Sequence, residues 1–345
     1  MPGRRDLGDK ISHLEVCGRA DVESRATAGF ERHLLSHEPL PELDLAAVDT
    51  ATEVCGRRLA APLVIAPMSG GVEPGQELTR TLARTAQRHG IGLGLGSQRI
   101  ALERPELAAG FVVRDLAPDI LLFANLGAVN LGLGLSAEDC LRAVEMVGAD
   151  ALLLHLNPIQ EALQGGDTAF AGLSQRIAEV CARLKTEGIP VLVREVSFGM
   201  PGGTAARLVA LGAAGVDTGG RGGTSWAAVE GAGSDDPLRR RAGEVIRDWG
   251  LSTCQSLEQI VAQDLGCTVI ASGGIRDGVE LAKAVALGAD LGGVARPFLQ
   301  AYLEGGQTAS DRLAEQLIFE LRLAMFGCGA ADLAALRQDH ILRPA

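Results

Sequence analysis

The densest run of chemistry-bearing side chains is His155-Leu156-Asn157-Pro158-Ile159-Gln160-Glu161. An imidazole, two amides and a carboxylate packed this closely can orient a polar substrate, transfer a proton and hold a hard cation through an oxygen ligand. A lone histidine on an apolar strand is ordinarily a satisfied core residue. Four polar side chains within seven positions are more than a strand end needs, and Pro158 breaks the strand so that they project beyond it. His155, Asn157 and Gln160 are therefore candidate catalytic residues. A second group is cationic: Arg194 in Arg194-Glu195-Val196 suits an anion or the electron-rich edge of a bound ring, or else an internal pair with Glu195. A third is rich in glycine. In Ser272-Gly273-Gly274-Ile275-Arg276 and Gly292-Gly293-Val294-Ala295-Arg296, bare main chain with an arginine at its end can cradle a phosphate. The run Gly219-Gly220-Arg221-Gly222-Gly223-Thr224-Ser225-Trp226 offers further amides and a hydroxyl, and Ser97-Gln98-Arg99 and Asn125 are candidate cofactor and substrate contacts.

These groups recur at the ends of short apolar runs. The runs occupy 62–68, 91–96, 120–127, 151–157, 190–196, 213–220, 267–274 and 291–295, and amphipathic helical patterns separate most of them. Strands apolar throughout are buried on both faces and belong to a parallel sheet. Eight of them alternating with helices predict an α/β fold, a (β/α)8 TIM barrel, whose functional residues gather at the C-terminal strand ends. A doubly wound sheet would carry G-x-G-x-x-G after its first strand, where this chain has Met68-Ser69-Gly70-Gly71. We read a single domain: residues 1–61 as an N-terminal segment packing on the barrel and the substrate site, and 62–345 as the barrel with a C-terminal helical tail. The longest connection, 221–250, is a candidate lid or a plain surface loop.

Composition narrows the function classes. The 345 residues include 45 glycines without a G-X-Y period, which excludes collagen, and enough apolar residues for a full core. A net charge of −11 disfavours nucleic acid as a partner. With no long apolar run and no secretory h-region, no membrane partner and a cytoplasmic location are expected. Seven cysteines without a C-x-x-C pair read as free thiols rather than a metal site.

Taken in order, Met68-Ser69-Gly70-Gly71, Gly96-Ser97-Gln98-Arg99, Ala124-Asn125-Leu126-Gly127, His155-Leu156-Asn157-x-x-Gln160-Glu161, Glu195-x-x-Phe198-Gly199, Gly222-Gly223-Thr224-Ser225-Trp226, Ser272-Gly273-Gly274-Ile275-Arg276 and Ala295-Arg296-Pro297 resemble the type 2 isopentenyl-diphosphate isomerases. The resemblance covers nearly the whole chain. It implies an FMN-dependent barrel that interconverts isopentenyl and dimethylallyl diphosphate with reduced FMN, Mg2+ and NADPH as reductant, the reduced flavin itself taking part in proton movement. It implies FMN contacts from Pro67, Met68, Ser69, Ser97, Asn125, Arg194, Thr224, Gly273, Gly274, Ile275, Arg276, Ala295 and Arg296. Lys10, His13, Ser97, Gln98, Arg99 and Gln160 would bind the prenyl diphosphate, with His155 and Asn157 helping, and Glu161 would hold Mg2+. It further implies a homo-oligomer, a tetramer or octamer.

Three departures stand out. Asp9 replaces the arginine of the Arg-Lys pair that grips the diphosphate in the family, Arg194 stands for a lysine, and Ala227-Ala228-Val229-Glu230-Gly231 replaces a segment that usually carries a basic residue. A paralogue acting on a modified prenyl diphosphate or another substrate, an FMN-dependent oxidoreductase, and a flavin-binding scaffold without turnover are the alternatives. Among oxidoreductases, the 2-hydroxy-acid oxidases need a histidine base in the loop after the sixth strand, and Val216-Asp217-Thr218-Gly219-Gly220-Arg221 has none. Inosine-monophosphate dehydrogenase needs a cysteine there, and none lies between Cys181 and Cys254.

Overall fold

A computed structural model describes residues 13, 14, 16–18, 21–68, 71 and 73–345. Eight parallel strands close into a barrel in chain order: β1 (Leu63–Ile65), β2 (Gly92–Gly94), β3 (Leu122–Gly127), β4 (Ala151–Leu156), β5 (Val191–Glu195), β6 (Gly215–Asp217), β7 (Thr268–Ser272) and β8 (Leu291–Val294). Each falls inside one of the eight predicted runs. β8 returns to β1 with Gly293 opposite Val64, which closes the ring.

Strand residues alternate between two apolar layers. Val64, Leu121, Phe123, Leu153, Leu192, Ile270 and Leu291 pack together in one cluster with Val54 and Leu59. Val54 and Leu59 come from the hairpin of Thr52–Val54 with Arg57–Leu59, so this cluster is the barrel interior closed by a hairpin. The intervening Leu63, Ile65, Leu122, Leu152, Leu154 and Val193 face the surrounding helices. Because both faces are apolar, the strands read as unbroken hydrophobic runs.

Helices Gly75–His89, Ala137–Val147, Leu173–Lys185, Gly202–Ala210 and Gly278–Ala286 follow β1, β3, β4, β5 and β7. The β2–β3 connection holds only the short helix Arg99–Glu103 and the 3-10 turn Pro105–Gly110. The C-terminal helix Arg296–Gly327 packs against Gly75–His89 and is broken at Gly305–Gly306, whose backbone angles are not helical.

The 221–250 connection is not an open loop. It carries helices Trp226–Ala232 and Pro237–Ile246, capped by Ser225 and Asp236, whose side chains accept from the backbone N–H of Ala228 and Leu238. Residues 22–24 cross this connection as an added strand fragment. Ser24 N–H donates to Gly223 O at 2.8 Å and Ser225 N–H to Val22 O at 2.7 Å. Among the described residues, no helix is long and apolar enough to cross a membrane.

Candidate active site

The strand register lines up the polar ends of the barrel. Gly127 faces His155, His155 faces Arg194, and Arg194 faces Asp217 along β3 to β6. Above them opens a cavity whose wall includes Pro67, Met68, Ser97, Arg99, Asn125, His155, Asn157, Gln160, Arg194, Thr224, Gly273, Gly274, Ile275, Arg276, Ala295, Arg296 and His13. The sequence motifs thus converge on one place from positions more than 280 residues apart. Lys10, Asp9 and Ser69 lie outside the described residues.

The short helix Pro158–Gln164 positions the β4 group. Asn157 precedes it, and Pro158 starts it where no backbone donor is needed. Asn157 Nδ2 donates to Gln160 Oε1 at 3.0 Å and to Glu161 Oε1 at 2.8 Å. Gln160 Nε2 donates to Glu230 Oε1 at 2.8 Å. Both ends of the Gln160 amide are therefore held, and its orientation is set before any ligand arrives. Glu230, 7% exposed, also approaches His13, with Nε2 3.3 Å from Oε1. The His13 ring meets Trp226 edge to face at 5.4 Å. Glu230 was not among the predicted site residues. The sequence marks it only as part of the segment that departs from the family's basic residue, and its place one helical turn after Trp226 gains meaning once Trp226–Ala232 is known to be a helix against the barrel mouth.

On the same strand, His155 Nδ1 donates to Asn125 Oδ1 of the neighbouring β3 at 2.9 Å, while Asn125 Nδ2 donates to Leu95 O at 3.0 Å. Arg194 is 7% exposed. Its Nε lies 3.6 Å from Asp217 Oδ2, and its buried Nη1 has no partner among the described residues. An orphaned guanidinium N–H in a cavity wall is expensive unless an acceptor comes to it. Burial raises the Asp217 carboxyl above its ordinary range, against the pull of Arg194 and a hydrogen bond from Ser272.

The end formed by β7 and β8 suits an anion. Gly273 and Gly274 take φ of 103° and 85°, which lets the chain fold back on the Gly220–Gly222 main chain; a Cβ at either position would run into it. Among the described residues, the backbone N–H groups of Gly274 and Ile275 donate to no other group. With Arg276 and Arg296 beside them, they form a cationic cradle with free donors, the geometry an FMN phosphate requires. An anion cradle at the β7–β8 end and the orphaned Arg194 N–H in the same cavity wall are the features that fit a flavin mononucleotide.

A divalent cation finds oxygen donors nearby. Asn157, Glu161 and Gln164 share one helical face, and Asn157 Oδ1 and Gln164 Oε1 are buried without partners among the described residues. No cluster of three His, Cys, Asp or Glu able to hold a metal occurs among the described residues. Asn157 and Gln164 line the cavity while Glu161 is fully buried behind it, so the described residues offer Mg2+ amide oxygens on the wall and no all-protein cage.

Gln98 and Glu161 stand behind the wall instead of on it. Gln98 is fully buried, donating from Nε2 to Ala143 O at 2.8 Å and accepting from Asn125 N–H at 3.0 Å, so its amide shapes β3 instead of facing the cavity. Glu161 Oε2 accepts from Asp167 N–H at 3.2 Å. Arg99 lines the cavity, braced by Glu103 at 2.8 Å, Asn130 at 3.2 Å and Asp167 at 3.3 Å. The thiols are not poised for attack: burial pushes Cys17, the one in the wall, up to about 12.

The model of the FMN-dependent dehydrogenases matches residues 176–343. Among solved structures, a mandelate oxidase variant with (S)-mandelic acid superposes with a TM-score of 0.63 at 23% identity, each chain covered to 99%. A flavocytochrome b2 variant with pyruvate bound gives 0.67 at 17%, covering 96% of this chain and 82% of that one. At those identities the likeness is one of fold. Closer in sequence are proteins named isopentenyl-diphosphate delta-isomerase. The one from Synechococcus sp. is 48% identical over 97% of this chain and 96% of its own. Those from Stutzerimonas stutzeri and a Nostoc species are 45% and 42% identical, each over 97% of this chain and 96% and 95% of their own. With eight-stranded barrel, converging motifs and near full-length relatives in agreement, the chain belongs to the isopentenyl-diphosphate delta-isomerase family and is an enzyme of the isomerase class.

Proposed function

We propose that the protein interconverts isopentenyl diphosphate and dimethylallyl diphosphate, using reduced FMN, Mg2+ and NADPH as reductant. The observation that carries this reading is the Gln160 amide, fixed between Asn157 and Glu230 in the wall of a cavity whose far end is a phosphate cradle. The near full-length relation to enzymes named for this reaction supports the choice of substrate.

Moving a double bond by one position requires a proton at one carbon and its removal from another, with positive charge developing between. Reduced FMN, when bound, supplies an electron-rich ring beside that charge. Pro67, Met68, Ser69, Ser97, Asn125, Arg194 and Thr224 would hold the ring side of the cofactor. Gly273, Gly274, Ile275, Arg276, Ala295 and Arg296 would hold its phosphate. Gln160 orients the reacting carbons, and the Glu230 carboxylate behind it places negative charge where a cation develops. His155, its Nδ1 proton held on Asn125, lines the same cavity. Arg99, His13 and Lys10 would take the diphosphate, and Glu161, buried behind Asn157 and Gln164 in this structure, would hold Mg2+. The apolar wall of Leu14, Ile100, Val196 and Leu299 keeps the site dry. In this reading residues 1–61 complete the substrate end, and the enzyme works as a cytoplasmic homo-oligomer.

The test is an anaerobic incubation of the reduced, FMN-loaded protein with Mg2+ and isopentenyl diphosphate, followed by NMR. Dimethylallyl diphosphate is the expected product, and its absence defeats the proposal. A second reading, a paralogue acting on a modified prenyl diphosphate, is favoured by Asp9, an anion in place of a phosphate-gripping arginine. Under the first reading, Asp9→Arg tightens diphosphate binding. Unchanged or weaker affinity points to a pocket rebuilt for another ligand.

A further inference from the structure

The phosphate cradle is completed from outside the barrel. Glu23 Oε1 accepts from Arg276 Nη2 at 2.7 Å and lies 2.7 Å from Arg296 Nη1, so one carboxylate oxygen joins an arginine from the loop after β7 to one that begins the helix after β8. The carboxylate does not wander. Its main chain bridges Thr224, Arg247 Nε donates to Glu23 O at 2.6 Å, and the neighbouring Ser24 hydroxyl donates to Asp248 Oδ1 at 2.7 Å. Burial would push the Glu23 carboxyl up, but the two guanidinium groups outweigh it and hold it below its ordinary range, so it stays ionised.

Two like charges on separate loops repel, and each long side chain loses freedom on ordering. A fixed carboxylate between them offsets both effects before any ligand arrives. Arg276 is not used up: an arginine has five N–H donors, and among the described residues Arg276 spends others on Ile275 O, at 3.1 Å, while Arg296 also donates from Nε to Cys17 O at 2.7 Å.

We propose that Glu23 is a positioning residue for the phosphate end of the site: docked by its main chain on the Gly223–Ser225 loop, it holds Arg276 and Arg296 together so that they meet a ligand phosphate preorganised. This rests on the reading that the loops after β7 and β8 seat the phosphate of FMN. It makes tight cofactor binding conditional on the docking of an N-terminal segment remote from the flavin ring.

The test compares FMN with riboflavin, which has the same ring and no phosphate. Flavin-stripped wild type, Glu23→Gln and Glu23→Ala are titrated with each flavin and followed by quenching of flavin fluorescence. Wild type is expected to prefer FMN. Glu23→Ala is expected to lose about tenfold in FMN affinity while riboflavin affinity stays within about twofold, because only the charge-assisted contacts are disturbed. Glu23→Gln, which keeps the shape without the charge, should fall between and serves if Glu23→Ala does not fold. In an Arg276→Ala background the penalty of Glu23→Ala should shrink to about twofold or less, as coupled residues require. FMN binding that is unchanged or tighter in Glu23→Ala overturns the proposal, since the carboxylate would then compete with phosphate. So does an equal loss for riboflavin, which marks a merely structural role. If wild type itself does not distinguish FMN from riboflavin, the phosphate reading of the two loops fails, and the proposal with it.

Discussion

Gln160 has no free choice of orientation. Asn157 Nδ2 fixes its oxygen and Glu230 Oε1 its nitrogen, so the amide presents one face to the cavity. Gln160→Ala removes both links, and turnover should drop at least about tenfold with FMN still bound, as steady-state rates and flavin absorbance would show. Full activity would remove the β4 group from the mechanism. Glu230→Gln separates charge from shape, because its amide oxygen can still accept from Gln160. If the charge stabilises a developing cation, kcat falls about tenfold or more while KM changes little. A parallel change in KM would assign Glu230 to substrate binding instead. Types and spacing were enough to single out His155, Asn157 and Gln160, since a polar cluster at a strand end is visible in one dimension. Glu230, Glu23 and Asp217 were not visible as partners, because each acts on a side chain 23 or more residues away.

The elements carry their own tests. The turn after β7 works only with glycine at 273, where φ is 103° and a Cβ would strike the Gly220 carbonyl. Gly273→Ala should cost about 1–3 kcal/mol in urea unfolding and release FMN. Retained stability with retained flavin would mean the turn tolerates a side chain and the cradle is looser than its geometry indicates. The eight strands were legible because burial on both faces writes an unbroken apolar run into each. The two helices within 221–250, read only as a candidate lid or surface loop, went unseen, although Ser225 before Trp226 and Asp236 before Pro237 are cap signals. The glycine density that marks ligand contact masked them, and the exposed Leu238, Val245 and Trp249 blurred the amphipathic pattern.

At the scale of the molecule, ligand and pH act through linkage. FMN at about a hundredfold above its Kd should raise unfolding free energy by about 2.7 kcal/mol, measured with and without flavin; no shift would mean the native fold does not bind it. Burial pushes the Glu195 carboxyl up to about 7, against hydrogen bonds from the N–H groups of Phe198 at 2.5 Å and Ser197 at 2.6 Å. The unfolded chain has an ordinary value near 4.3. The folded protein therefore binds this proton more tightly. Its contribution is complete below about pH 4.3 and is lost as pH rises through about 7. Wild type should lose more stability between pH 5 and 8 than Glu195→Gln, which stays neutral; equal losses in urea titrations would contradict the assignment.

What the sequence determined by itself is local. Strand and helix periodicity, glycine at turns that need it, and residue types that can bind phosphate or move protons are properties of short stretches, and together they set barrel, family and the ring of candidate residues. Tertiary structure alone decided which of those candidates face the cavity. Gln98 spends its amide on Ala143 and Asn125 behind the wall, while Arg194 keeps an unpaired N–H in it. It also brought Glu23 from the N-terminal segment onto two arginines more than 250 residues away. The physical reason is that hydrogen bonds and charge pairs act over a few ångströms of space and are indifferent to distance along the chain, so a side chain's partners are fixed only when the barrel closes.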